Sequence, residues 1–275
     1  MKCLIIGCGS IGTRRAKILV EMGHEVYGFD PAYDGDKWLA WYAEVGAQGS
    51  VNGEHIPRGF KADVALICTP PDGFERAAQI TELATSPLRG LFMEKPIAVS
   101  GEGLEAVRRA VEDLAVPVTM GACNLRFAGG LDRLTGDWHW PYMLFTMRQD
   151  GSLWSKGHKP ISLILDSIHE LDLAVHLQGD IDSIRGWSDE DECEVSVHHT
   201  GGKASRISMD RSTYPPERSV LAQSMWTSRM VDLDTGPDMY VREMEHFMDC
   251  VEKGVPTMNS IDQAAETCYW ALDVA

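Results

Sequence analysis

The chain has 275 residues, 44% of them hydrophobic and 24% charged, a globular composition with room for one large domain or two ordinary ones. Its 41 acidic against 25 basic side chains give a net charge of −16, a surface that repels a phosphate backbone and argues against nucleic-acid partners. No apolar run reaches the roughly 20 residues of a membrane span, MKCLIIGCGS breaks at Gly7 too early for a signal peptide, and seven cysteines without framework or zinc spacing suit a reduced, cytoplasmic protein.

Up to residue 122, short apolar runs alternate with helical patterns, the signature of βαβ units on a parallel sheet. KCLII (Lys2–Ile6) reads as a buried strand and Ser10–Met22 as a helix. Strand Glu25–Phe29 and amphipathic helix Asp36–Val45 follow, and Gly46–Gly59 holds one short strand and a loop. Strand Ala62–Cys68, helix Phe74–Ala84, strand Leu91–Met93, helix Gly103–Leu114 and strand Val116–Met120 complete the series. The pattern then changes. A helix near Leu131 leads to strand Tyr142–Arg148, the polar loop GSLWSKGHKP and a helix through Leu163–His176. Several strands with polar turns between Ile181 and Leu233 imply a largely antiparallel sheet, and helices Tyr240–Lys253 and Ile261–Val274 close the chain. The expected fold is α/β: a doubly wound Rossmann domain over residues 1–122, then an α+β domain with a large, mostly antiparallel open sheet over 123–275.

GCGSIG (Gly7, Cys8, Gly9, Ser10, Ile11, Gly12) has the form G-x-G-x-x-G. Alone the pattern is weak, but here it follows a strand and opens a helix, and Asp30 ends the next strand. That context is a dinucleotide fingerprint. Gly7 permits the tight turn, Gly9 lets backbone approach the pyrophosphate, and Gly12 allows close helix–strand packing. The helix N-terminus attracts the negative charge. An acid at position 30 accepts hydrogen bonds from the ribose 2′-OH and repels a 2′-phosphate, and no Arg or Lys directly follows it, so NAD is favoured over NADP. MEKPIA (Met93–Ala98) follows the fifth strand at the sheet's carboxyl edge, which brings Glu94 and Lys95 towards the nicotinamide end. CTPPDGF, with Cys68, Thr69 and Pro70, ends the fourth strand and forms another wall of the same crevice. The basic pairs Arg14–Arg15 and Arg108–Arg109 read as solvated helix positions.

LILDSIHELDLAVH (Leu163–His176) is an apolar helix with three carboxylates and two histidines. Ile164, Ile168, Leu171 and Val175 form one stripe, with His169, Asp172 and His176 beside it at i+3 and i+4 steps. Asp166 stands three residues before His169. Charges in so greasy a segment are costly unless paired or used. The residues alone leave open Asp–His pairs that satisfy one another, a general acid/base site, or a metal site; three ligands on one helix do not easily surround an ion.

GCGSIG, CTPP, EKPIA, NLRF (Asn124–Phe127) and HELDLAVHLQGD (His169–Asp180) together closely resemble the glucose-fructose oxidoreductase/inositol dehydrogenase/MocA family, over nearly the whole chain. The resemblance implies a Rossmann domain followed by an α/β domain whose open sheet faces the cofactor and joins a homodimer or homotetramer. It also implies NAD(P)-dependent oxidation of a hydroxyl on a sugar, polyol or related small molecule. By that resemblance Lys95 is the active-site lysine and His169 the acid/base histidine, in a pocket between the domains lined also by Asp166 and Asp172. A histidine suits the task because its pKa lies near working pH, and either aspartate would orient it. The chain departs from the family twice: Leu165, not an aspartate, stands four residues before His169, and Phe74 stands near where a histidine often follows the TP motif. His176 takes a structural role, and the loop with Lys156, His158 and Lys159 is read as solvated. Other readings are transient NAD oxidation driving epimerisation, elimination or glycoside cleavage, and a non-catalytic NAD-sensing protein.

Overall fold

The computed structural model describes residues 1–51, 53–57, 59–135, 139–149, 162–211 and 216–275. The basic loop containing Lys156, His158 and Lys159 therefore lies outside the described residues. The chain divides into two compact units, residues 1–122 with 240–265, and 123–239 with 266–275.

The first unit is built on a six-stranded sheet in the order β3-β2-β1-β4-β5-β6. Its strands are β1 (Lys2–Ile6), β2 (Glu25–Phe29), β3 (Gly49–Ser50), β4 (Val64–Ile67), β5 (Gly90–Met93) and β6 (Val118–Gly121), and every neighbouring pair is parallel. β4 and β5 are buried along their whole length, as central strands covered on both faces must be. The covering helices are α1 (Ser10–Glu21), α2 (Gly35–Val45), α3 (Gly73–Glu82) and α4 (Gly101–Leu114). Local chemistry sets their starts: Asp34, Asp72 and Ser100 each cap one, the Asp72 side chain accepting from Phe74 and Glu75 N–H and Ser100 from Gly103 N–H. Register then fixes function. Ile6 pairs with Phe29 and Ile67, and Ile67 with Met93, so the residues that follow, Gly7, Asp30, Cys68 and Glu94, emerge in one row along the carboxyl edge.

The second unit carries a six-stranded sheet in the order β12-β11-β7-β10-β9-β8. β7 (Tyr142–Arg148) and β10 (Ala204–Asp210) pair parallel; the pairs involving β8 (Ile181–Ser188), β9 (Glu192–His199), β11 (Glu217–Gln223) and β12 (Ser228–Asp232) are antiparallel. Alternate residues of β7 and β9, such as Met143, Phe145, Val195 and Val197, are buried, so one face carries the core. Helices α5 (Leu163–Asp166) and α6 (His169–Gln178) belong to that side, α6 against β7 and β10 and α5 against β9. Helices α7 (Asp238–Lys253) and α8 (Ile261–Leu272) end the chain.

Three sequence expectations change. The helix near Leu131 is instead two short 3-10 turns, Asn124–Phe127 and Leu131–Arg133. Between them Gly129 exchanges backbone hydrogen bonds with Asp234, and Gly130 is left-handed (φ 91°), so no α-helix can run through. The Leu163–His176 helix is broken at Ser167 (φ −116°, ψ 43°). Its first N–H groups are tied to the end of β8, Ile164 to Ser188 Oγ and Leu163 to the carbonyl of Asp189 just beyond the strand. Finally, Arg15 is not solvated but wholly buried, while Arg14, Arg108 and Arg109 are exposed.

Candidate active site

The carboxyl edge of the first sheet is shaped for a dinucleotide. Gly7 has φ 89° and its Cα faces the backbone of Cys68 and Thr69, 2.9 Å from where a β-carbon would stand. A β-carbon on Gly12 would stand 1.9 Å from the Gly7 carbonyl oxygen, so neither position accepts a side chain. At Gly9 the opposite holds: nothing lies within 4 Å of the missing β-carbon, leaving the backbone open to a ligand. α1 begins there with Gly9 at its N-cap and no side-chain cap, so its first N–H groups and its dipole face that space.

Asp30 is held ready at the end of β2. Its Oδ2 accepts from Cys8 N–H at 2.9 Å and its Oδ1 from Ala32 N–H at 3.0 Å. Each oxygen keeps a second lone pair for a ribose hydroxyl. Tyr33 completes the clip, its hydroxyl donating to the Cys8 carbonyl at 2.6 Å. One hollow lies against Cys8, Gly9, Ser10 and Tyr33, and another against Asp30, Pro31 and Trp38. An open glycine, an uncapped helix start and a fixed carboxylate fit NAD, and Gly7–Gly12 and Asp30 are the residues that would hold it. Tyr33 escapes sequence reasoning because nothing in DPAYDGD distinguishes it from a surface tyrosine.

Further along the edge, Glu94 is buried beside Arg15. The guanidinium Nε donates to Glu94 Oε1 at 2.8 Å, and Nη2 lies 2.7 Å from the same oxygen and 2.6 Å from Glu243 Oε2. Phe92 and Tyr240 rings flank it at 4.8 and 5.1 Å. Burial works against the charge, but Glu243 and Glu94 outweigh it and hold the arginine above its ordinary pKa. The half-buried Cys68 thiol is pushed up, chiefly by burial and then by Glu94, so it is not a reactive thiolate. Sequence did carry a signal for Arg15. It lies three residues after Gly12 and four before Leu19, within the buried stripe of α1.

In the second unit, Asp166, His169 and Asp172 are all buried, whereas His176 is exposed. His169 is the first residue of α6, and Asp166 the last of α5. Asp172 follows His169 by one helical step of three, but its two oxygens also accept from Arg126, Oδ2 from Nε and Oδ1 from Nη2, both at 2.8 Å. Burial opposes the Arg126 charge, yet Asp172 more than compensates and holds this arginine above its ordinary pKa. Glu170, on the adjoining position, accepts from Arg218 of β11 at 2.6 Å. Two buried ion pairs thus pin α6 immediately after His169, one to the 124–127 turn and one to the sheet. Neither Arg126 nor Arg218 is legible as a partner from spacing, being 46 and 48 residues from its acid. Among the described residues, no group of three or more His, Cys, Asp or Glu side chains could hold a metal ion. No described helix is long and apolar enough to cross a membrane.

Comparison with known proteins bears on this edge directly. The sequence has no match among functionally curated proteins. Solved structures of similar fold include the UDP-N-acetylglucosamine 3-dehydrogenase of Acidithiobacillus ferrooxidans (16% identity, 100% of this chain and 96% of that one, TM-score 0.79). A myo-inositol dehydrogenase of Corynebacterium glutamicum is another (16% identity, 98% and 94%, TM-score 0.81). A third is an oxidoreductase of Agrobacterium radiobacter in complex with NAD+, L-tartaric acid and magnesium (16% identity, 98% and 94%, TM-score 0.78). At such identities these likenesses speak for the fold. The family model for the oxidoreductase family with an NAD-binding Rossmann fold, Gfo/Idh/MocA, matches residues 1–122. That span is the strand, glycine loop and carboxyl edge described above, and it is similar to the NAD-binding Rossmann domain of the Gfo/Idh/MocA oxidoreductases.

Proposed function

We propose that the protein is an NAD-dependent dehydrogenase that oxidises, or forms, a hydroxyl on a sugar, polyol or sugar derivative. The observation that carries the reading is a buried histidine, His169, at the start of a helix pinned by two ion pairs, in a chain whose other unit binds NAD. When bound, NAD supplies the hydride acceptor. In this reading the residues of the chain do the rest. His169 takes the hydroxyl proton as the carbon is oxidised, and returns it in the reverse direction. Lys95 donates a hydrogen bond to the same substrate oxygen and stabilises the charge developing on it. Asp166 and Asp172 orient the imidazole; because Arg126 shares its charge, Asp172 serves as a fixed acceptor and not as the base. The sugar and inositol dehydrogenases among the similar folds support this substrate class. A panel of sugars, inositols, sugar acids and nucleotide sugars, read by NADH absorbance, tests the reading. Turnover on at least one polyhydroxylated compound is expected; failure across the panel with NAD bound would overturn the substrate class.

Asp30 should govern the choice of cofactor. A charged hydrogen-bond acceptor contributes about 1.5–3 kcal/mol, so Asp30→Ala should weaken NAD binding by roughly 10- to 100-fold and narrow its margin over NADP. Trp38 lines the hollow beside Asp30, so its fluorescence reports both titrations. Equal or tighter NADP binding by the unmodified protein would refute the assignment.

A further inference from the structure

Arg76 sits on α3 and is 1% exposed, yet it is not a core residue by chemistry. Its Nη1 lies within hydrogen-bond distance of three carbonyl oxygens, those of Glu94 (2.7 Å), Pro96 (2.5 Å) and Ile97 (3.1 Å). Its Nη2 donates to the carbonyl of Thr69 at 2.6 Å. Taking a guanidinium out of water is costly, and an apolar side chain of similar length would pack α3 without that cost. What the charge provides is a fixed planar fork of donors.

The acceptors explain where the fork is spent. Glu94 N–H, bonded to the Ile67 carbonyl, continues the β4–β5 pairing past the end of both strands. Beyond that point the chain turns away through the cis Lys95–Pro96 bond. The backbone carbonyls of Glu94, Pro96 and Ile97 then gather around one buried cation, which ties them to Thr69 at the end of the neighbouring strand. From Gly90 to Ala98 every residue is buried except Lys95. The clamp therefore grips the residues on both sides of the one side chain that the segment presents outward.

We infer that Arg76 is a positioning residue for Lys95: it fixes the backbone of the Glu94–Ile97 loop so that the Lys95 amine is held in one place. The inference rests on the reading of Lys95 as the group that meets the substrate oxygen. A misplacement of about 1 Å at such a group costs up to ~10²-fold in rate. Arg76→Met should therefore lower kcat by roughly 10- to 100-fold with little change in KM. Arg76→Lys, which keeps the charge but loses the planar fork, should fall between the two.

The test measures amide hydrogen exchange across the full-length, NAD-loaded protein, beside turnover on the substrate identified from the panel. In Arg76→Met, the amides of Glu94, Lys95, Ile97 and Ala98 should exchange at least ~10-fold faster while those of β1 and β2 keep their rates, a local opening and not a global one. In a Lys95→Ala background, Arg76→Met should cause no further loss of kcat. Unchanged exchange at 94–98, or a kcat loss that persists undiminished without Lys95, would overturn the inference. If Arg76→Met does not fold, Arg76→Lys must show the same local rise in exchange, and its absence there counts equally against the clamp. Full turnover by Lys95→Ala alone would instead remove the functional reading of the lysine, while the exchange result would still decide whether Arg76 fixes the loop.

Discussion

Replacing His169 by alanine should lower kcat by roughly 10²–10⁴-fold, the usual contribution of a positioned acid/base, and leave NAD affinity nearly unchanged. The separation follows from where the groups lie in the chain. The glycine loop, Asp30 and the α1 N-terminus belong to the first unit, whereas His169 belongs to the second. The variant should also fold, because α6 is held by Arg126–Asp172 and Arg218–Glu170, neither of which involves the imidazole. The pH profile gives a second reading. As pH falls, protonation of a histidine base removes its capacity to accept the substrate proton, so the wild-type rate should drop on the acid side. That limb should be missing from the alanine variant, whose residual rate depends on the remaining groups. Turnover on the identified substrate by the wild type and the alanine variant, with circular dichroism to confirm the fold, checks the prediction. Undiminished activity of His169→Ala would take the histidine out of the mechanism and turn attention to Lys95 and Asp172.

The cofactor edge was legible because its determinants are local. Gly7 to Gly12 span one turn between a strand and a helix, and Asp30 stands where the next parallel strand must end. Parallel register then aligns the ends of β4 and β5 beside them without further information. The second site was only half legible. Periodicity showed a buried helix carrying His169 and Asp172, but not the break at Ser167. No Gly or Pro marks that break, and the ties that hold the start of α5 to Ser188 and Asp189 at the end of β8 are long-range. The arginines that neutralise the acids of α6 were invisible for the same reason. Arg126 and Arg218 find partners far along the chain, and a charge reads as solvated until its partner is known. Arg15 shows how to correct that habit: a charged residue inside an apolar stripe is a request for a buried partner.

Arg15→Met should be the most destabilising of these substitutions. The wild-type guanidinium is fully buried between the Phe92 and Tyr240 rings, with Glu94 on one side and Glu243 on the other. Methionine fills most of the volume, so little of the expected loss comes from a cavity. The cost is electrostatic, since two buried carboxylates would face each other without the cation that separates them. Removing one partner of a buried pair typically costs about 3–5 kcal/mol, and here one arginine serves two acids. For a chain of this length the unfolding temperature of the first unit should fall on the order of 10 °C. The cause can be isolated by removing the acids as well. A triple variant, Arg15→Met with Glu94→Gln and Glu243→Gln, should recover much of the loss, because no uncompensated charge remains inside. If the triple variant were no more stable than Arg15→Met, the loss would belong to packing around Phe92 and Tyr240 and not to the ion triad. Catalysis gives a separate reading, since Glu94 adjoins Lys95. The triple variant should regain stability without regaining full kcat, because a glutamine lacking its arginine no longer anchors the segment that carries the lysine.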